Sequence, residues 1–174
     1  MVTLRCTQKL LRRLRVSPPV ETLQATTALG DWYANLLYMR PQQLVVCMNE
    51  RTLLVVLVPA RGGNLLGVRF REAVAHHLLR IGVPPTMVEA EAREMAEVGF
   101  APTASRKILG CLREAMFELS FELEPGRWPS LPDLEVHLSG NIYSTTGYRH
   151  PRDLALELFE AAGISSGGSA AKLH

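Results

Sequence analysis

Residues 30–60 read GDWYANLLYMRPQQLVVCMNERTLLVVLVPA, three apolar runs separated by two short polar turns. From Trp32 to Met39 the apolar residues do not follow a 3.6 period, and their type suits a pleated segment, so this run predicts a strand. Gln43 to Met48 and Thr52 to Val58 are rich in Val and Leu and are parted by Asn49, Glu50 and Arg51, a loop of hairpin size. Together the three runs predict an antiparallel meander. The third is apolar on both alternating faces, which predicts a central strand covered on each side.

Outward from this centre, Val2 to Arg5 reads as a short strand, and Thr7 can cap a helix with Leu10, Leu11 and Leu14 on one face. Pro18 and Pro19 stop that helix, and Glu21 to Ala28 reads as a loop. Leu66, Phe70, Val74 and Leu78 recur every four residues, a helix ending near Gly82. Thr86 and Glu89 form a capping-box pattern for the next helix, and Val98 to Ala101 reads as an extended piece. Either Thr103 or Ser105 can cap a long helix stopped by Pro125 and Gly126. Ser130 with Asp133 opens a short helix, and Pro151 suits the first turn of a last one. The tail after Gly163, ISSGGSAAKLH, lacks a core-forming period and is expected to be flexible. The fold class expected is therefore α+β: one domain over residues 1–163, a mixed sheet built on an antiparallel meander and packed by several helices, with a flexible tail over 164–174.

A chain of 174 residues is long enough to bury a sizeable core without metals or staples. Its longest apolar run is far too short to span a bilayer, and its N-terminus lacks a signal-peptide apolar core, so the expected location is the cytoplasm. Cys6, Cys47 and Cys111 are odd in number, widely spaced and set among apolar residues, which suits reduced core thiols. No cofactor and no metal site is expected: adjacent His76 and His77 diverge on a helix, and His137 and His150 have no ligand at a recognisable spacing. The net charge is +2, yet Arg5, Lys9, Arg12, Arg13 and Arg15 fall in the first 15 residues without an acid, leaving 14 cations against 17 anions elsewhere. The basic character is local.

Three groups of residues are candidates for function. If Trp32, Ala34 and Leu36 face one side of a strand, Asp31, Tyr33 and Asn35 face the other. Antiparallel pairing then brings Asp31 beside Asn49, Glu50 and Arg51, a polar cluster able to bind a ligand or activate water. The plainer reading is turn chemistry. Second, Lys9, Arg12 and Arg13 lie near one another on a helix and could contact phosphates, although a solvated helix face looks the same and no aromatic is interleaved for base stacking. Third, Arg106 and Lys107 occupy the first turn of a helix, where cations oppose the macrodipole unless an anion is close. No GxSxG elbow, Walker loop or GxGxxG pattern is present.

GDWYANLLYMR, NERTLLVVLVPA, FREAV and TASRKILG, with the opening VTLRCTQKLLRRL, resemble a family of short uncharacterised bacterial proteins carrying a domain of unknown function. The resemblance covers roughly residues 1 to 125. Such relatives read D-W-[YH]-A-N, then N-[ED]-x-T-L, then a helix entry like T-x-N-R-S-x-x-G. The first two stand here as Asp31 to Asn35 and Asn49 to Leu53; in the third, Ser105 stands before Arg106 in place of asparagine, and Lys107 after it in place of serine. The resemblance implies a fold and no activity.

The expected role is a binding or interaction module inside the cell, with a regulatory or mobile-element setting and an unknown protein or anionic ligand as partner. One alternative is a small hydrolase or nuclease using the Asp31 and Glu50 carboxylates, with Arg51 or Arg106 stabilising an anion. The other is nucleic-acid binding through Lys9, Arg12 and Arg13. A homodimer through an apolar strand edge or the Leu10, Leu11 and Leu14 stripe is also open, and no membrane partner is expected.

Overall fold

In a computed structural model that describes residues 1–18, 24–39 and 42–167, with side chains to Gly163, the alternation of the central segment is realised as sheet faces. The strands are β1 (Val2–Cys6), β2 (Trp32–Met39), β3 (Gln42–Asn49), β4 (Val55–Pro59) and β5 (Val98–Pro102), in the order β4-β3-β2-β1-β5. The β2, β3 and β4 strands form the antiparallel meander; β1 pairs in parallel with β2 on one side and β5 on the other. The architecture is α+β, a single open mixed sheet packed by helices. The helices are α1 (Gln8–Leu14), α2 (Leu66–Arg80), α3 (Pro85–Glu94), α4 (Arg106–Glu122), α5 (Leu131–Leu138) and α6 (Pro151–Gly167).

Even positions of β2 and odd positions of β3 face one core. Trp32, Ala34, Leu36, Val45 and Cys47 are buried there with Leu4, Val56 and Val58 beneath α1, α2, α3 and α6. Trp32 meets Phe70 of α2 edge to face, with centroids 5.4 Å apart. The opposite set, Tyr33, Val46, Met48, Val55 and Leu57, packs under Ile108, Leu112, Ala115 and Leu119 of α4 and Leu134 and Leu138 of α5. Two apolar layers on one sheet require strands that are apolar on both faces, which is what β3 and β4 supply.

The position of β4 corrects an expectation. It is an edge strand, not a central one. Its faces are apolar because α2 and α5 pack on them, while one strand edge is left without a strand partner. The strand also starts at Val55 rather than Thr52, because Asn49 to Leu54 form a turn in which Leu53 has a positive φ of 60°. The capping box expected at Thr86 and Glu89 is not used either: α3 starts at Pro85, in the first turn where its missing N–H costs nothing, and no side chain caps it. Thr7, Ser105 and Ser130 do cap α1, α4 and α5, each accepting a backbone N–H. The α1 helix ends at Leu14 through left-handed Arg15, before Pro18. The C-terminal helix runs on to Gly167, past the boundary expected at Gly163, and residues 168–174 lie outside the described residues, as do residues 19–23 of the expected loop.

Candidate functional site

Trp32 pairs with Asn49, so the start of β2 and the end of β3 meet as their sequence positions require. Asn49 is fully buried, and its amide is used completely by the local backbone. Nδ2 donates to the carbonyls of Leu29 (2.9 Å) and Asp31 (3.2 Å). Oδ1 accepts from the amides of Arg51 (3.1 Å) and Thr52 (2.9 Å) and from the Thr52 hydroxyl (2.9 Å). Glu50 and Asp31 hold each other through backbone: the Glu50 amide donates to the Asp31 carbonyl, and Glu50 Oε1 accepts from the Asp31 amide. Arg51 donates to the Ala28 carbonyl at 2.9 Å. Gly30 makes this approach feasible, since a Cβ there would lie 3.0 Å from Arg51 Nε in a backbone already at φ +73°. These hydrogen bonds are the ones that shape the turn.

Asp31 itself turns under the sheet to Arg5 of β1, whose Nε donates to its Oδ2 at 2.7 Å. The second carboxylate oxygen, Oδ1, is buried without a partner among the described residues. Tyr33 lies near Arg5 and accepts the Ser105 amide at 3.1 Å, which ties β2 to the start of α4; burial pushes its phenol up. Asn35 Oδ1 accepts from Thr7 Oγ1 and the Leu36 amide, both at 2.8 Å. Arg106 is exposed and makes no hydrogen bond or ion pair among the described residues. The structure therefore joins Asp31, Asn49, Glu50 and Arg51 but leaves Asn35, four residues along β2 and paired with Val46, and Arg106 apart. Four surface cavities, of about 740, 430, 480 and 520 Å³, are lined by other residues.

The basic helix α1 has company that sequence spacing conceals. Lys9 sits over the ring of Tyr38, its Nζ 4.2 Å from the centroid, and Tyr38 is 54% exposed. This brings an aromatic beside the basic face, where none is interleaved in the sequence. Tyr38 pairs with Gln43 across the β2–β3 hairpin, so both side chains stand on the α1 face of the sheet. Arg13 and Arg61 then flank a cleft of about 430 Å³ that Gln42 and Gln43 also line, floored by Leu44 and Pro59, with no acidic group in its wall. Arg12 lies along the same helix and donates to Gln8 at 3.4 Å. Lys9 and Tyr38 adjoin this cleft through the pairing of Tyr38 with Gln43, whereas Gln42, the next residue, faces the other side of the sheet. Arg61, Tyr38, Gln42 and Gln43 were missed in sequence because their neighbours lie dozens of positions away.

His137 also has neighbours that its own element does not reveal. Glu118 and Glu122, one turn apart on α4, bring carboxylate oxygens to its ring, with the three ligand atoms within 4.8 Å of one another. Glu122 is held by Arg127 (2.8 Å) and by Trp128 Nε1 (2.9 Å), and Glu118 accepts from Asn141 (2.6 Å), so each carboxylate has a protein partner and only Glu122 has a cation. The three cysteines are free and buried; burial pushes Cys6 up to about 12 and Cys47 well above its ordinary value, which disfavours both thiolates. Among the described residues no helix is long and apolar enough to cross a membrane.

Comparison with protein families matches residues 3–154 to a family described as a domain of unknown function, DUF6933. No curated protein and no solved structure matches the chain.

Proposed function

The chain belongs to the DUF6933 family, whose description carries no activity, and from its own surface we propose that it is a binding module for single-stranded nucleic acid. The observation that carries this reading is the exposed Tyr38 ring under Lys9, on the strand residue paired with Gln43, which lines the cleft together with Arg13 and Arg61. Single strands are held by cations that follow the phosphates and by aromatic faces on which bases stack, and the glutamine amides can hydrogen-bond to base edges. The shallow α1 helix, seven residues long, has neither the length nor the partner helix to read a major groove. An intracellular location is part of this reading, since three free buried thiols suit a reducing compartment.

The hydrolase or nuclease alternative loses its support, because Asp31 and Glu50 serve the turn and Asp31 is committed to Arg5. Fluorescence anisotropy with a labelled single strand of about 12 nucleotides tests the proposal. Binding is expected to weaken steeply with salt, and Lys9→Gln and Arg13→Gln each to flatten the logarithmic salt slope by about 0.7. Tyr38→Ala should cost roughly tenfold in affinity with the slope unchanged. No binding at low salt, or binding indifferent to all three substitutions, overturns the reading.

A further inference from the structure

On α4 the glutamates Glu114, Glu118 and Glu122 follow one another a turn apart, so their carboxylates stand in one row. Like charges at that spacing repel, and among the described residues only Glu122 of the three has an ion-pair partner, Arg127. The last two glutamates are held from both ends of α5: Glu122 accepts from Trp128 Nε1 ahead of that helix, and Glu118 from Asn141 just past it. His137 of α5 completes the group, with one ligand atom from each of the three side chains within 4.8 Å of the others. The Trp128 ring lies against the imidazole, centroids 4.7 Å apart, and among the described residues neither ring nitrogen of His137 has a hydrogen bond. Behind Glu118 lies a buried group that the protein leaves unpaired. Tyr143 is 6% exposed, and its hydroxyl has no hydrogen-bond partner among the described residues. The Asn141 side chain that donates to Glu118 acts on this hydroxyl, as do the charges of Glu118 and Glu114. Buried hydroxyls are ordinarily paired, so the polar shell around Glu118 holds one group more than its protein neighbours satisfy.

Two carboxylates and an imidazole, an excess of negative charge and an unpaired hydroxyl behind them are complementary to a cation that carries water. We propose that Glu118, Glu122 and His137 form a binding site for a divalent transition-metal ion of the Zn2+ type, which ties α4 to α5. The donor set selects the class of ion. Mg2+ and Ca2+ take shells of oxygen, whereas an imidazole among the ligands favours Zn2+ and its first-row neighbours. Three protein ligands leave a further position for water, and the Tyr143 hydroxyl is the buried group that such a water can satisfy. With bonds of about 2.0 Å, ligand atoms round a tetrahedral ion stand roughly 3.3 Å apart, so a rotation of exposed His137 closes the set. Asn141 and Trp128 orient the two carboxylates from outside, the part that second neighbours of a metal ordinarily take. Arg127 is the built-in competitor: its Nε lies 2.8 Å from Glu122 Oε2 and its second fork nitrogen 3.0 Å from Oε1, so the ion must share Glu122 with it or displace it. The site belongs to the α4 and α5 layer, on the opposite face of the sheet from α1, and is independent of the nucleic-acid reading.

Isothermal titration of the full chain, first freed of metal with a chelator, against zinc chloride tests this. One Zn2+ per chain is expected, with Mg2+ binding at least about tenfold more weakly. Glu118→Gln and His137→Gln should each weaken Zn2+ at least about tenfold, with circular dichroism confirming that these solvent-accessible substitutions leave the fold intact. His76→Gln, a histidine outside the site, should leave Zn2+ binding unchanged. Arg127→Met frees Glu122 from its competitor and should tighten Zn2+ severalfold, a gain that a merely disturbed fold does not produce. Absence of Zn2+ binding, Mg2+ bound as tightly as Zn2+, an affinity indifferent to Glu118→Gln and His137→Gln, or an affinity lowered by Arg127→Met overturns the proposal.

Discussion

Glu135 of α5 reaches the outer edge of β4, where its Oε1 accepts the Leu57 amide at 2.6 Å, and its Oε2 stands 4.0 Å from His77 Nδ1 on α2. The carboxyl takes the place of a neighbouring strand on an edge that would otherwise offer a free amide. Its cost is burial of an ionisable pair at 2% and 1% exposure. Burial pushes Glu135 up to about 7, against the pull of the Leu57 amide and Arg80, and drives His77 down to about 4, helped by Arg80 and His76.

These two shifts oppose each other as pH changes. Folded Glu135 keeps its proton above the unfolded value of 4.5, so its contribution falls as pH rises from 4.5 to about 7. Folded His77 refuses a proton that the unfolded residue takes below 6.5, so its contribution rises from about pH 4 to 6.5. Between pH 4.5 and 6.5 the two slopes cancel. Glu135→Gln should expose the histidine slope, with stability rising through that window, and should stabilise the protein at pH 8 by on the order of 2 kcal/mol. His77→Gln should expose the opposite slope. Urea unfolding at a series of pH values measures both; parallel curves for the two variants would refute the pairing.

Asn49→Ala removes the side chain that joins the Leu29 and Asp31 carbonyls to the Arg51 and Thr52 amides. Several buried backbone groups lose their partner at once, and a loss of about 3 kcal/mol is expected in chemical denaturation. Asn49→Asp should fare no better, because it keeps the acceptor but loses both donations.

Arg5→Met leaves the Asp31 carboxylate buried without its cation and should cost about 3 kcal/mol. Adding Asp31→Asn should return most of that loss, since the penalty comes from the unpaired charge rather than from the missing arginine. A double-mutant cycle in urea reads the coupling; additive losses would show that the pair is not coupled.

Tyr33→Phe deletes the hydroxyl that accepts the Ser105 amide and leaves the ring packed beneath α4. The loss should be about 1 kcal/mol. Hydrogen exchange should quicken at the first turn of α4 and stay unchanged in β3, which distinguishes a released helix start from general loosening.

What could be read in the sequence was local. Alternation placed Trp32, Ala34 and Leu36 together and put Asp31 beside Asn49, because strand geometry converts spacing directly into face and register. Thr7, Ser105 and Ser130 were legible as caps because a cap interacts within three residues. The edge position of β4 was not legible: an apolar strand reports that both faces are covered and says nothing about its lateral neighbours. The role of Glu135 was hidden for the same reason, as its partner amide at Leu57 is on another element, and His77 was legible only as a residue diverging from His76 on one helix. Tyr38 beside Lys9, and Glu118 and Glu122 beside His137, meet only through tertiary packing. No spacing rule within one element reaches them.

The placement of β1 between β2 and β5 matters while the protein is being made. Leu4 is aligned with Trp32 on one side and with Phe100 on the other, so β1, which precedes the other four strands in sequence, has a late second neighbour. The hairpins of β2, β3 and β4 can zip between near neighbours as soon as they emerge, whereas one flank of β1 stays unclaimed until β5 is translated. During that interval the nascent chain carries an open parallel ladder. Refolding from denaturant should accordingly be limited by the docking of β5, with substitutions there slowing the folding rate more than equally disruptive ones in the β3–β4 hairpin.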